Sequence, residues 1–502
     1  MTDVLLGHGY YLRLDPKQWA AAQPYPPLGT LYAAAVLREA GHRVALFDAM
    51  LAPSEREWEK ALDRARPSVA VLFEDSFNYL SKMCLLRMRG ATFAMIGAAR
   101  ARGSAVIAAG SDATDHFEAY LDAGATAVAV GEADLTVAEA VSALAGGRPL
   151  ANVAGLCLRD ADGAVRRTAA RAFLRDLDAL PRPAWDLVDL DAYRGLWRAR
   201  HRHHSMNVVT TRGCPYHCNW CAKPIYGQRY AVRRAEAVAD EVAWLKARYA
   251  PDHLWFADDV FGLRPGWVEE YAEAVLSRGA ALPFRCQSRA DLLGPRTVDA
   301  LRRAGCRTVW LGAESGSQPV LDAMEKGITV EQIRESARRL RAAGIEVALF
   351  LQFGYPGEGW AEIEETLALV RACRPDEIGI SVSYPLPGTR FHQRVAAGLG
   401  AKRNWVDSDD LDMMFDGAFS SAFYRQLHRV AHKEFRLARL VRRWRERRPP
   451  PLAHSAATLA QAALLPLDRA RLRRLGRGRG ARPALPFELA RDAAARPSTP
   501  PA

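Results

Sequence analysis

The chain contains no stretch approaching the ~18 uninterrupted apolar residues that a membrane span needs, although 49% of its 502 residues are hydrophobic. No membrane span is therefore expected. The opening residues, Met1-Thr2-Asp3-Val4-Leu5-Leu6, lack the basic n-region and long apolar h-region of a secretory signal, so a cytoplasmic address is expected. No internal repeat stands out. Cysteine is scarce, with eight residues in the chain. In a large cytosolic protein this argues against a disulfide framework, and any cysteines that cluster point to metal or redox chemistry. A basic body is also missing. The formal net charge is +12, but the segment from Val441 to Ala502 holds 14 Arg, no Lys and four acidic residues, leaving 55 basic against 53 acidic residues in the rest. Nucleic acid is an unfavoured partner on that distribution.

What is present is alternation. Apolar runs at 4–9, 44–48, 69–73, 105–110 and 127–131 are separated by helix-like segments, one of them stopped by Gly41. Such a pattern predicts parallel β/α units, a Rossmann-like α/β domain over 1–150. A connector with Pro181-Arg182-Pro183 fills 151–204. A second alternation over 205–400 gives six strand candidates, at 207–210, 254–257, 284–287, 308–311, 348–351 and 378–381, enough for a partial (β/α)6 barrel. Chemistry in barrels sits at the carboxyl ends of the strands. Thr329 with Gln332 predicts a capping box. Residues 401–448 read as a helical C-terminal region. Residues 449–502, rich in Arg, Pro and Gly, read as a basic disordered tail with room for a short amphipathic helix near 459–467.

The chemistry-bearing string is Thr211-Arg212-Gly213-Cys214-Pro215-Tyr216-His217-Cys218-Asn219-Trp220-Cys221. Its C-x3-C-x2-C spacing follows the first barrel strand. Three thiolates on one loop suit three irons of a cubane and leave the fourth open to a small molecule. A zinc site with His217 as the fourth ligand is the other reading of these residues. At later strand ends stand Asp258 and Asp259, acceptors for an ammonium or ribose hydroxyls or a helix cap. Arg289 is either a donor to a carboxylate or an ion-pair partner of Asp291. Gly312, Glu314, Ser315 and Gly316 form a glycine-bearing strand end, where Glu314 can accept from ribose hydroxyls. Gly354-Tyr355-Pro356 and Tyr384-Pro385-Leu386 form turns.

In this order the motifs resemble the radical S-adenosylmethionine (SAM) superfamily, from about Asn207 to Thr389. The resemblance implies a [4Fe–4S] cluster on Cys214, Cys218 and Cys221, with Trp220 as the aromatic residue beside it. It implies SAM contacts from Asp258, Asp259, Arg289, Gly312, Glu314, Ser315, Gly316, Gly354 and Pro385. It further implies a small-molecule substrate and a one-electron reductant such as flavodoxin or ferredoxin. The N-terminal order of elements, with Gly110-Ser111 and Gly131-Glu132, resembles the cobalamin-binding domain of one radical SAM subclass. That subclass includes methyltransferases and the anaerobic Mg-protoporphyrin monomethyl ester cyclase, so Gly110, Ser111 and Gly131 are expected to contact cobalamin. The string D-x-H-x-x-G, which supplies a histidine to cobalt elsewhere, is absent. Two rivals remain: a tRNA methylthiotransferase, which would carry three further cysteines upstream where only Cys84 and Cys157 stand, and an iron–sulfur redox sensor without a SAM pocket.

Overall fold

Short runs of Val, Ala, Leu, Ile and Phe make the strands of the N-terminal sheet in the computed structural model. The structure describes residues 3–477, apart from 76, 78–84, 222–224, 400–403, 407–410 and 448–449. The strands are β1 (Val4–Gly7), β2 (Val44–Phe47), β3 (Val69–Phe73), β4 (Ala105–Ala109), β5 (Ala127–Ala129), β6 (Leu156–Arg159) and β7 (Val165–Arg167). The sheet order is β2-β1-β3-β4-β5-β6-β7. The first five strands are parallel, with helices between them, and the last two turn antiparallel.

The final hairpin corrects the reading of 151–204 as a connector. Its strands are short, and β7 carries Val165-Arg166-Arg167, which shows no alternation to detect. The same segment supplies the helix Leu190–His201, capped by Asp189, which accepts from Ala192 N at 3.1 Å.

The second sheet comprises β8 (Ser205–Val208), followed after a small ribbon by five more strands. The ribbon pairs β9 (Thr211–Gly213) with β10 (Tyr230–Val232) antiparallel and closes the base of the cysteine loop. The later strands are β11 (His253–Phe256), β12 (Phe284–Ser288), β13 (Cys306–Glu314), β14 (Glu346–Phe353) and β15 (Glu377–Val382). The order β15-β14-β13-β12-β11-β8 is parallel throughout, an open six-stranded arc. All six expected strands are present.

One face of the arc is packed core: Leu254, Phe256, Cys286, Val309, Leu311, Val347 and Leu349 are buried. Side chains alternate across a strand, so Trp255, Arg285, Gln287, Trp310 and Phe350 face inward, where they line cavities. The predicted capping box is present: Thr329 Oγ1 accepts from Gln332 N at 3.1 Å, and Gln332 Oε1 accepts from Thr329 N at 2.8 Å.

The two sheets are fastened together by buried hydrogen bonds. Trp197 Nε1 donates to Pro24 O (2.6 Å), Asn207 Nδ2 to Pro26 O (3.0 Å) and Tyr25 Oη to Ser205 Oγ (3.0 Å).

The C-terminal helix Ser421–Arg445 is shorter than the span 401–448 expected for it. The tail is not disordered as expected up to Arg477. Helices Leu452–Ala463 and Leu465–Arg477 pack against Ser421–Arg445. Leu465 and Leu472, seven residues apart, are buried, and Lys433 Nζ meets Asp468 Oδ2 at 2.6 Å. Arg-rich composition hid that sparse apolar seam. Residues 478–502 lie outside the described residues.

Candidate active site

The loop after β9 brings three thiols to the carboxyl end of the barrel. Cys214, Cys218 and Cys221 all line one cavity of about 550 Å³, together with Trp220, Asp259, Glu314, Lys326 and Gln352. Gly213 begins the loop at φ +80°, and a Cβ there would stand 2.1 Å from Arg229 O across the ribbon, so no other residue fits. Cys214 is buried against Val260 and Leu263. Asn219 anchors the middle of the loop: its Nδ2 donates to Ala323 O (2.8 Å), and its Oδ1 accepts from Tyr355 Oη (2.9 Å).

Among the described residues, no three His, Cys, Asp or Glu side chains gather around a single ion position. His217 is exposed and does not line the cavity, so the zinc reading gains no support. Three separate thiols on one cavity wall suit a polynuclear iron–sulfur group with one iron for each.

The strand-end residues divide into two groups. Asp259, Glu314, Gly312, Trp220 and Arg289 reach the cavity. Ser315, Gly316, Gly354 and Pro385 are not among its lining residues. Ser315 Oγ bonds Thr366 Oγ1 (3.1 Å), and Gly316 N donates to the same hydroxyl (2.9 Å), which clamps the strand end to helix Trp360–Cys373. Gly354 N donates to Glu358 Oε2 at 2.5 Å. These positions shape the site from behind.

Asp258 touches the cavity, but its carboxylate is taken. It accepts from the amides of Thr210 and Thr211 (both 2.7 Å) and from their hydroxyls (2.8 and 3.0 Å). Burial pushes its pKa up to about 6 against the pull of these donors. It therefore holds the turn that leads into the cysteine loop. Arg289 follows its ion-pair reading: Nε and Nη2 meet Asp291 (3.0 and 3.2 Å), while the guanidinium lies 3.5 Å from the centre of the Tyr216 ring, and Nη1 lies 3.9 Å from Cys218 Sγ.

Lys326 was not singled out from the sequence. Its ammonium, buried in the cavity wall, meets Glu314 Oε1 at 2.7 Å. Burial pulls its pKa down, but Glu314, and then Cys218, outweigh that and hold it above the ordinary lysine value. Glu314 adopts φ +59°, and a Cβ on Gly312 would come within 2.8 Å of Lys326 Nζ, so the glycine makes room for the pair. Two buried cavity atoms, Trp220 Nε1 and Gln352 Oε1, have no partner among the described residues, a donor and an acceptor open to a ligand.

The N-terminal strand ends are different. Gly110 adopts φ +128°, and a Cβ there would stand 2.4 Å from Glu74 Cβ. Ser111 is buried. Gly131 N donates to Thr114 Oγ1 (3.2 Å). The void between Gly110 and Gly131 measures only about 10 Å³ and is walled by Arg212 and Tyr226. Arg212 pairs with Glu132 (2.8 Å) and Asp134 (2.7 Å), tying this edge to the cysteine loop. Arg89 pairs with Asp112 (2.6 Å), whose backbone amide donates to the half-buried Glu74 Oε2 (3.2 Å). His8 Nε2 lies 3.0 Å from Asp48 Oδ1 and accepts from Ala49 N (3.1 Å). Among the described residues, Gly110, Ser111 and Gly131 border no cavity large enough for the nucleotide tail of cobalamin.

Residues 208–370 match the family model described as the radical SAM superfamily. The chain carries a radical SAM domain. This radical SAM enzyme is 28% identical over 320 residues to an uncharacterized methyltransferase of Pyrococcus horikoshii, covering 62% of this chain and 67% of that protein. It is 27% identical over 327 residues to the anaerobic magnesium-protoporphyrin IX monomethyl ester cyclase of Synechocystis, covering 64% of this chain and 63% of that one, so less than two thirds of the cyclase is represented. Its fold is similar to that of TsrM, a radical SAM methyltransferase from Kitasatospora setae solved with cobalamin and a [4Fe–4S] cluster (TM-score 0.63, 21% identity, 79% of this chain and 75% of that one). An α/β domain with a parallel sheet precedes the barrel, as the similarity of fold to TsrM over 79% of this chain reflects. A [4Fe–4S] cluster and SAM are the cofactors that the radical SAM domain implies. The described residues include no helix long and apolar enough to cross a membrane.

Proposed function

We propose that this radical SAM enzyme acts on a small organic molecule, by methylation or oxidative ring formation. The observation that carries the reading is the single cavity shared by Cys214, Cys218 and Cys221 with Asp259 and the Lys326–Glu314 pair at the barrel strand ends. When bound, the cluster and SAM supply one-electron cleavage of the sulfonium. The chain's own residues hold and orient: the three thiols carry the cluster, Asp258 and Asn219 fix their loop, and Lys326 and Asp259 offer charges of opposite sign to the carboxylate and ammonium of SAM.

Cobalamin is proposed as a second cofactor on the likeness of fold alone, and no step is routed through it, because Gly110, Ser111 and Gly131 do not offer it a cavity. The tRNA methylthiotransferase reading is not favoured. Only Cys84, outside the described residues, and Cys157, buried in β6, stand upstream of the barrel.

The test is anaerobic reconstitution with iron and sulfide, followed by SAM, cobalamin and a strong reductant, with 5′-deoxyadenosine and S-adenosylhomocysteine measured together. Cluster-dependent 5′-deoxyadenosine is the expected result. Cobalamin-dependent S-adenosylhomocysteine selects methylation over ring formation. A complete cluster that neither binds nor cleaves SAM would leave a redox sensor as the reading.

A further inference from the structure

A second cavity, of about 220 Å³, lies between the N-terminal strand ends and the inner face of the barrel. It shares Gln18, Gln287, Trp310 and Phe350 with the cavity that holds the three thiols, so the two adjoin. Three features of its wall point to a ligand.

The first is Asn207 on β8. It is 1% exposed, its Nδ2 is committed to Pro26 O, and its Oδ1 is buried with no partner among the described residues. The second is Arg285 on β12. Its guanidinium sits over the rings of Tyr25 (5.6 Å) and Trp255 (5.5 Å) and donates to Tyr25 Oη at 3.1 Å and to Gln23 Oε1 at 3.5 Å. Among the described residues no carboxylate lies within ion-pair distance of it. Glu377 feels its charge without bonding to it, and Asp75, on the far wall, accepts from the amides of Gly29 and Phe77. The third is aromatic. Trp310 and Phe350 stack at 4.5 Å, and Gly379 leaves them room, since a Cβ there would come within 3.3 Å of both rings.

Asn207, Trp255 and Arg285 are register partners on three adjacent strands. Two strand spacings, about 10 Å, separate the backbone positions of Asn207 and Arg285 along one row. An aromatic ring lies between them.

We infer that this cavity is the substrate pocket and that it takes a planar one- or two-ring molecule bearing a carboxylate, anchored by Arg285, and a hydrogen-bond donor, met by Asn207. Arg is suited to the task, because its planar fork binds a carboxylate through two parallel bonds and stacks on aromatic faces.

The inference rests on the radical SAM reading, and the experiment separates the two. Cluster-loaded protein with SAM is titrated calorimetrically with indole-3-acetate and with its neutral analogue, indole-3-acetamide, while 5′-deoxyadenosine is assayed in the same preparation. The acid binds wild type at least about tenfold tighter than the amide, the usual worth of a charge-assisted hydrogen bond. Arg285→Gln brings that ratio close to one, and Arg285→Lys retains part of it. The pocket assignment is overturned if wild type binds neither probe, binds them equally, or if the ratio survives in Arg285→Gln. It is equally overturned if both variants lose acid and amide together, which marks Arg285 as a structural bridge. Wild type that cleaves no SAM undoes the enzymatic reading instead.

Discussion

The parallel strands of both sheets in this chain end in similar glycine-bearing loops, and the two sets use their charges in opposite ways. At the N-terminal edge the charges satisfy one another: Arg89 with Asp112, and Arg212 with Glu132 and Asp134, around voids of about 10 Å³. At the barrel edge the Lys326–Glu314 pair, Asp259 and the three thiols surround about 550 Å³, with Trp220 Nε1 and Gln352 Oε1 unpartnered among the described residues. The same architecture thus serves as a closed brace at the ends of β4 and β5 and as an open site at the ends of the barrel strands. The difference comes from which side chains the strand ends carry, not from the fold.

The largest test of this contrast is paired. Cys218→Ala should abolish SAM cleavage, a loss on the order of a thousandfold or more, because the cluster loses a ligand. Ser111→Ala at the closed edge should change it less than about twofold. A comparable loss in both variants, measured as 5′-deoxyadenosine per iron, would erase the distinction between the two edges.

The next test breaks one buried pair on each side. Lys326→Met leaves Glu314 as an uncompensated buried charge, and Arg89→Met does the same to Asp112. Each should cost about 3–5 kcal/mol in urea unfolding. Only Lys326→Met should also weaken SAM binding by equilibrium dialysis, once both variants are compared below their unfolding midpoints. Equal SAM affinity in the two would remove Lys326 from the site.

The smallest effect is a contrast in acid response. Burial, and then Asp112, raises Asp115 to about 7, so the folded N-terminal edge takes up a proton before the unfolded chain does. Its contribution grows as pH falls from about 7 toward 4. Burial lowers His428 to about 4 and His432 to about 3, the latter further lowered by its neighbour His428. Here the unfolded chain binds protons first, so stability is lost as pH falls below about 6.5, by roughly 1 kcal/mol per histidine after discounting for partial exposure. Region-resolved hydrogen exchange at pH 7 and pH 5 should show Ser421–Arg445 loosening. The double variant His428→Gln, His432→Gln should flatten that change, and Asp115→Asn should remove the opposite trend at the N-terminal edge. No difference between wild type and these variants would rule out both titrations.

The sequence made some of this plain and hid the rest for physical reasons. The three cysteines were legible because their chemistry is local, written within eight residues from Cys214 to Cys221. The parallel strands were legible because each is a short apolar run between helices. Lys326 was not, since it is a lone lysine whose partner Glu314 lies on another element and whose burial comes from the assembled barrel. Asp258 looked like a ligand acceptor because its strand-end position fits one, and only the turn at Thr210 and Thr211 shows where its lone pairs go. For Arg289 the ion-pair alternative was visible in the sequence, because Asp291 stands two residues away.

The β9–β10 ribbon has one more consequence. It ties together the two ends of the segment that carries the thiols, so Gly213 and Tyr230 stay paired whatever happens between them. A loop with tethered ends explores far fewer arrangements than a free chain of the same length. Acquiring or losing the inorganic cluster is then a local repair within a standing frame, and apoprotein stripped of iron should accept it again without passing through the unfolded state.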